Sequence, residues 1–255
     1  MYSRYVALGD STTEGLDDPR PDGTYRGWAD RLAERLAVEN PDLLYANLAI
    51  RGRRICQVRE EQLEPALALR PDVATVVGGL NDLLRRRYDP DATAGHLEAM
   101  LEALRAQGAT VLTFTLPDLS SIAPPARIVR ARLAAYNQAI RDIAQRTGAL
   151  VLDLDAEPVA LHPLLWSVDR LHASALGHER IASGFAHELG LEPERSWVEP
   201  LPPVPPRRRH AQVAAELVWA QRYFTPWIMR RLRGRSSGDG RVCKRPELTP
   251  VELQA

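Results

Sequence analysis

The chain has 255 residues, 45% of them hydrophobic, with 33 basic and 33 acidic side chains and no net charge. That is enough for one large α/β domain with an appendage and too polar for a membrane-spanning bundle. Its two cysteines, Cys56 and Cys243, are too few for a disulfide framework.

Tyr5-Val6-Ala7-Leu8 reads as a buried first strand that stops at Gly9, and Asp10-Ser11-Thr12-Thr13-Glu14-Gly15 follows. A glycine there turns the backbone at the strand's C-terminal edge, where open α/β sheets bind ligands. Ser11 therefore arrives early and exposed, although serine and threonine also serve as ordinary helix caps. A polar loop with Pro19, Pro21 and Gly23 precedes a helix over Trp28 to Val38. Leu43 to Leu48 is the second strand, with Gly52 just beyond it. Gln57 to Leu69 has helical spacing, and the β-branched run Val73 to Val77 has the look of a strand covered on both faces. It ends in Gly78-Gly79-Leu80-Asn81-Asp82. A helix over Pro90 to Gln107, a strand at Thr110 to Phe114, a proline-containing loop and a long helix over Ala126 to Thr147 come next. Leu150 to Leu154 is the fifth strand, and a loop holding Asp169 and His172 leads into a helix over Ser174 to Leu189. Five strands alternating with helices predict a five-stranded parallel sheet in a three-layer α/β/α sandwich.

Residues 1–192 are expected to form that domain, 193–209 a proline-rich linker, and 210–255 a basic helical extension with a disordered end. Pro200, Pro202, Pro203, Pro205 and Pro206 stiffen the linker, and Thr225-Pro226 has the form of a cap with proline at the first position of a second tail helix. Residues 1–206 hold 22 basic and 29 acidic side chains, whereas 207–245 hold 11 basic and 2 acidic. Opposite charge predicts that the tail helices dock on the body through Val213, Leu217, Phe224, Trp227 and Leu232. The competing expectation is weak contact of residues 207–245 with an anionic membrane surface.

Hydrolysis of an ester through serine requires a nucleophile, a base, a group that orients the base, and oxyanion donors. Of the six histidines, only His172 has an aspartate three residues earlier, Asp169. On a tight loop a carboxylate at that spacing reaches Nδ1 and leaves Nε2 to take a serine proton. Gly52 permits close backbone approach, and the Asn81 side chain offers an N–H to an oxyanion, with Asp82 a second candidate for the same loop.

Gly9-Asp10-Ser11 with Gly15, then Gly52, then Gly79-Leu80-Asn81-Asp82, then Asp169-Arg170-Leu171-His172 together resemble the four blocks of the SGNH hydrolases, the GDSL esterase/lipase family, over roughly residues 4–190. Thr12 departs from the leucine of the name motif. The resemblance implies a flavodoxin-like fold and a serine esterase, lipase or acyl hydrolase. Ser11 is then the nucleophile, His172 the base and Asp169 its partner, with an oxyanion hole from the Ser11 and Gly52 N–H groups and Asn81. It implies a small-molecule ester substrate, no cofactor, no metal and no nucleic acid. The sequence lacks H-E-x-x-H, G-x-x-x-x-G-K-[ST] and G-x-G-x-x-G, and its beginning lacks a secretory pattern, so a cytoplasmic location is expected. The rival reading is a non-catalytic flavodoxin-like binding or interaction protein whose basic tail meets an anionic surface.

Overall fold

A computed structural model of the chain describes residues 1–192, 194–205, 209–233 and 235–253, without the side chains of 209, 211, 212, 227, 228, 231 and 232. Pro193, Pro206, Arg207, Arg208 and Gly234 therefore lie outside the described residues, as do the side chains of Trp227 and Leu232.

The chain begins with β1 (Arg4–Gly9), a one-turn α1 (Ser11–Glu14) and α2 (Gly27–Glu39), then β2 (Leu44–Asn47), α3 (Ile55–Leu69) and β3 (Val73–Val77). A short α4 (Leu80–Leu83), α5 (Pro90–Ala106), β4 (Thr110–Phe114), α6 (Arg130–Thr147), β5 (Leu150–Leu152) and α7 (Ala175–Glu188) complete the α/β body. The strands run in the order β5-β4-β3-β1-β2, all parallel. That is the doubly wound arrangement, whose ligand crevice lies outside the carboxyl ends of the strands. Helices α2 and α7 pack together on one face, and α3, α5 and α6 pack in series on the other. The sheet between them is dry: all five residues of β3 are buried, which is why its sequence runs apolar without alternation. Trp28, Phe114 and Phe185 meet beneath α2 and α7, with ring centroids 4.9 to 6.1 Å apart.

Three expectations from the sequence need correction. The first concerns the tail helices, α8 (Arg209–Trp219) and α9 (Thr225–Leu232). No break separates them. Residues Ala220–Phe224 form a π turn, and the Thr225 N–H reaches back to the Ala220 carbonyl. Thr225 is helical (φ −62°, ψ −49°), so it caps nothing. Secondly, of the residues foreseen for docking, Val213 and Leu217 point outward, 58% and 67% exposed, while Phe224 is half-buried and stacks on Trp219. The helix meets the body instead through Glu216 and Trp219, because both have partners on the loop that carries Asp169. The third correction concerns the end expected to be disordered: β6 (Arg245–Pro250) adds a sixth, antiparallel strand against β2. Its polar sequence with two prolines does not read as a strand, but an outer edge tolerates proline. Arg245 ties it down by donating Nε to the Tyr45 carbonyl (2.8 Å) and stacking over the Tyr45 ring at 5.0 Å. The sheet is thus mixed and six-stranded. Among the described residues no helix is long and apolar enough to cross a membrane.

Candidate active site

β1 ends at the carboxyl edge of the sheet, and Asp10 turns the chain into α1. The Asp10 carboxylate caps that helix, accepting from the Thr12 N–H (3.2 Å) and the Thr12 hydroxyl (2.8 Å). Capping therefore falls to Asp10, and the Ser11 hydroxyl remains available. Gln62, buried in α3, grips the residue before this turn. Its Oε1 accepts from the Gly9 N–H (2.8 Å) and its Nε2 donates to the Gly9 carbonyl (2.9 Å). Two bonds to one backbone unit fix the height at which Ser11 emerges.

The loop between β5 and α7 brings the second part of the site across the crevice. Ser11 Oγ lies 2.9 Å from His172 Nε2, and His172 Nδ1 lies 2.6 Å from Asp169 Oδ2. A carboxylate only accepts, so Nδ1 carries the ring proton and Nε2 accepts from the serine hydroxyl. The Asp169 Oδ1 atom accepts from the N–H groups of Leu171 (2.8 Å) and His172 (3.0 Å) and from the Ser167 hydroxyl (2.7 Å). That multiple hold explains how a carboxylate three residues away stays aimed at the ring.

Burial disfavours the Asp169 anion, but the bond and charge of His172 outweigh it and hold the carboxyl well below the usual range. Burial likewise opposes the imidazolium, yet Asp169, with Asp17 and Asp10 behind it, raises the His172 pKa above its ordinary value. Asp17 was not singled out by sequence reasoning. Its Oδ2 lies 2.5 Å from the Ser167 hydroxyl, so a single hydroxyl proton serves two carboxylates. Asp17, Asp169 and His172 present ligand-type atoms within 4.8 Å of one another. Both ring nitrogens of His172 are already engaged, by Ser11 and Asp169, and that pairing suits proton transfer.

Gly52 follows β2 with φ +75°, a left-handed turn that favours glycine. Next to it Arg51 is buried, its backbone N–H and guanidinium both bonded to the Glu14 carboxylate of α1. The Gly52 loop is thereby tied to the helix bearing Ser11. Among the described residues, neither the Ser11 nor the Gly52 N–H donates to a protein acceptor. Asn81, at the start of α4, stands on the same side, but its amide is engaged: Nδ2 donates to Asp10 Oδ2 (3.0 Å) and to the Arg53 carbonyl (3.1 Å). Its neighbour Asp82 accepts from the Ile55 N–H (2.9 Å) at the start of α3, with a pKa pushed up to about 6 by burial. Asp82 is thus occupied in holding α3.

His178, the other histidine near the site, is locked in place. Its Nδ1 accepts from the Trp28 N–H (3.1 Å) and its Nε2 donates to the Leu16 carbonyl (2.9 Å). Burial holds its pKa at about 4. The fold binds fewer protons at this site than the unfolded chain between about pH 4 and the ordinary histidine value of about 6.5, so stability falls as pH drops through that window. The full effect is roughly 3 kcal/mol. His178→Gln is expected to flatten this acid-side decline in melting temperature while leaving esterase activity near wild type. Loss of activity with an intact fold would move the base to His178.

Comparison with known proteins gives the family and the fold. Residues 7–180 match the family described as GDSL-like Lipase/Acylhydrolase. An acetylxylan esterase from Geobacillus stearothermophilus is 26% identical over 215 residues, covering 76% of this chain and 96% of that protein. Among solved structures, LAE5, an α/β hydrolase enzyme from the metagenome of Lake Arreo, Spain, superposes with a TM-score of 0.62 at 23% identity, over 74% of this chain and 95% of its own. The acetylxylan esterase Axe2 from Geobacillus stearothermophilus gives 0.60 at 20% identity, over 78% and 97%. The two structures share the fold, and the match over more than half of the sequence gives the kinship: this chain belongs to the GDSL-like lipase/acylhydrolase family and is a hydrolase acting on esters.

Proposed function

We propose that the protein cleaves carboxylic esters through an acyl-enzyme on Ser11. The reading rests on one observation, the continuous chain of bonds from Ser11 Oγ through His172 to Asp169 at 2.9 and 2.6 Å. Ser11 Oγ attacks the ester carbonyl carbon while its proton passes to His172 Nε2. The carbonyl oxygen becomes an oxyanion held by the Ser11 and Gly52 N–H groups and the Asn81 amide. His172 then gives its proton to the departing alkoxide, which leaves as the alcohol. A water, deprotonated by the freed Nε2, attacks the acyl carbon and releases the acid, restoring the Ser11 hydroxyl. Asp169 stays ionised and stabilises the imidazolium in both halves.

The acetylxylan esterase among its relatives makes acetyl esters the first substrates to try. A series of p-nitrophenyl esters of increasing chain length, with fluorophosphonate labelling of Ser11, tests the reading. Absence of both turnover and labelling would refute it.

The Asn81 role requires that its amide exchange one present partner for the oxyanion as that charge forms, as catalytic hydrogen bonds that are poorly aligned in the free enzyme often tighten in the reacting complex. Asn81→Ala should then lower kcat by about 10²–10³ with little change in KM. An effect confined to KM would assign Asn81 to substrate binding alone.

A further inference from the structure

Beyond the family match, helix α8 lies against the loop that carries Asp169. Trp219, on α8, donates its indole Nε1 to the Asp169 backbone carbonyl (3.0 Å). Glu216, one turn earlier, takes Arg170 in a two-pronged pair, Nη1 to Oε2 at 2.7 Å and Nη2 to Oε1 at 2.8 Å. The Arg170 guanidinium also lies over the Trp219 ring at 4.7 Å. These three contacts fall on the two residues between which the loop turns toward His172. Arg170 holds a left-handed backbone (φ +61°), a conformation that a non-glycine residue keeps only when its surroundings enforce it. Its Nη1 also reaches the body, donating to the Ile122 carbonyl (3.1 Å).

After α9 the chain reaches the opposite wall. Ser236 Oγ donates to the Gly52 carbonyl (3.4 Å), and Gly238 sits so close to Arg51 that a Cβ there would fall 1.9 Å from the Arg51 carbonyl. β6 then fastens the segment to the sheet. One stretch of chain therefore bears on the loop of the base and on the loop beside the nucleophile.

We propose that this C-terminal segment belongs to the catalytic apparatus, with Trp219 and Glu216 as positioning residues that hold the Asp169–His172 loop in register with Ser11. The proposal rests on the serine-hydrolase reading above. A proton moves from Ser11 to His172 over a bond of 2.9 Å, and a displacement of about 1 Å at such a contact costs up to about 10²-fold in rate. Bonds within the loop aim Asp169 at the ring, and the indole N–H and the bidentate guanidinium tie that loop as a whole to a helix.

The test uses the full-length protein with p-nitrophenyl acetate. Trp219→Phe removes the indole N–H but keeps a ring under Arg170, and Glu216→Gln removes the charge but keeps the shape. Each is expected to lower kcat about tenfold with KM within about twofold. Because both act through one loop, the double variant should lose less than the product of the two. His172 is faced by Asp169 on its own loop, by Asp17 after α1 and by Asp10 at the end of β1, with His178 behind it. Asp17 and Asp10 lie on other elements, so a loosened Asp169 contact in these variants should move the acid limb of the pH–rate profile to lower pH. Glu216→Asp, which keeps the charge, should recover part of the rate.

Wild-type kcat and an unmoved acid limb in both variants would overturn the proposal, as would losses appearing only in KM. Failure of the wild-type enzyme to turn over ester or to label at Ser11 would instead strike the serine-hydrolase reading. Should one variant lose its thermal transition, the other decides.

Discussion

Replacing Ser11 with alanine is expected to reduce ester hydrolysis by about 10⁴- to 10⁶-fold, leaving whatever turnover the oxyanion donors and binding alone supply. The fold should survive. Among the described residues the Ser11 hydroxyl bonds to His172 alone, while Asp10, Gln62 and the Arg51–Glu14 pair hold the turn around it. Thermal melting of Ser11→Ala beside its kinetics separates these two effects. A near-wild-type rate would remove Ser11 as nucleophile. A large fall in melting temperature would mean that the hydroxyl belongs to the fold as well as to the chemistry.

How much of this site was legible in sequence depends on how local each part is. Val73–Val77 and Thr110–Phe114 were read to the residue because strands buried on both faces are written as β-branched and apolar runs without alternation, interrupted here only by threonine. Ser11 stood out because a strand, a glycine and a hydroxyl follow one another. Asp169 and His172 stood out because a carboxylate three residues from an imidazole can close one loop. Gln62 gave no such signal. A glutamine within a helix looks like surface, and only its 2% exposure and its two bonds to Gly9 show otherwise. Asp17 is similar, since its partner Ser167 lies 150 residues away.

The tail was misread for a related reason. Charge balance draws a basic segment toward an acidic body in the sequence reading, yet the ion pair that α8 makes joins an acidic tail residue, Glu216, to a basic body residue, Arg170. Val213 and Leu217 looked like the anchor because they share a side of α8, yet Trp219, with one specific acceptor at Asp169, decides the orientation. Strand β6 was missed because its pairing depends on an edge of β2 that is distant in sequence. Residues that act within a few positions were legible, and those whose partners lie across the fold were not.

The second large effect is expected at Asp169. Asp169→Asn keeps the size of the side chain but places an amide opposite His172 Nδ1. If the amide N–H faces the ring, Nδ1 must accept, the tautomer reverses, and Nε2 carries the proton where Ser11 needs an acceptor. The expected loss is about 10⁴-fold in kcat. The same substitution removes the negative charge that chiefly raises the His172 pKa. In the wild type, activity should rise with pH through a midpoint above the ordinary histidine value of about 6.5, because the base works only when neutral. In Asp169→Asn the residual activity should rise through a lower midpoint, since burial is then opposed only by Asp17 and Asp10. Rate and midpoint must therefore fall together. A variant that lost rate with an unchanged midpoint would show that Asp169 orients the ring without setting its charge. One that shifted the midpoint but kept its rate would place the orienting role elsewhere, with Asp17 the nearest remaining carboxylate on the Ser167 hydroxyl.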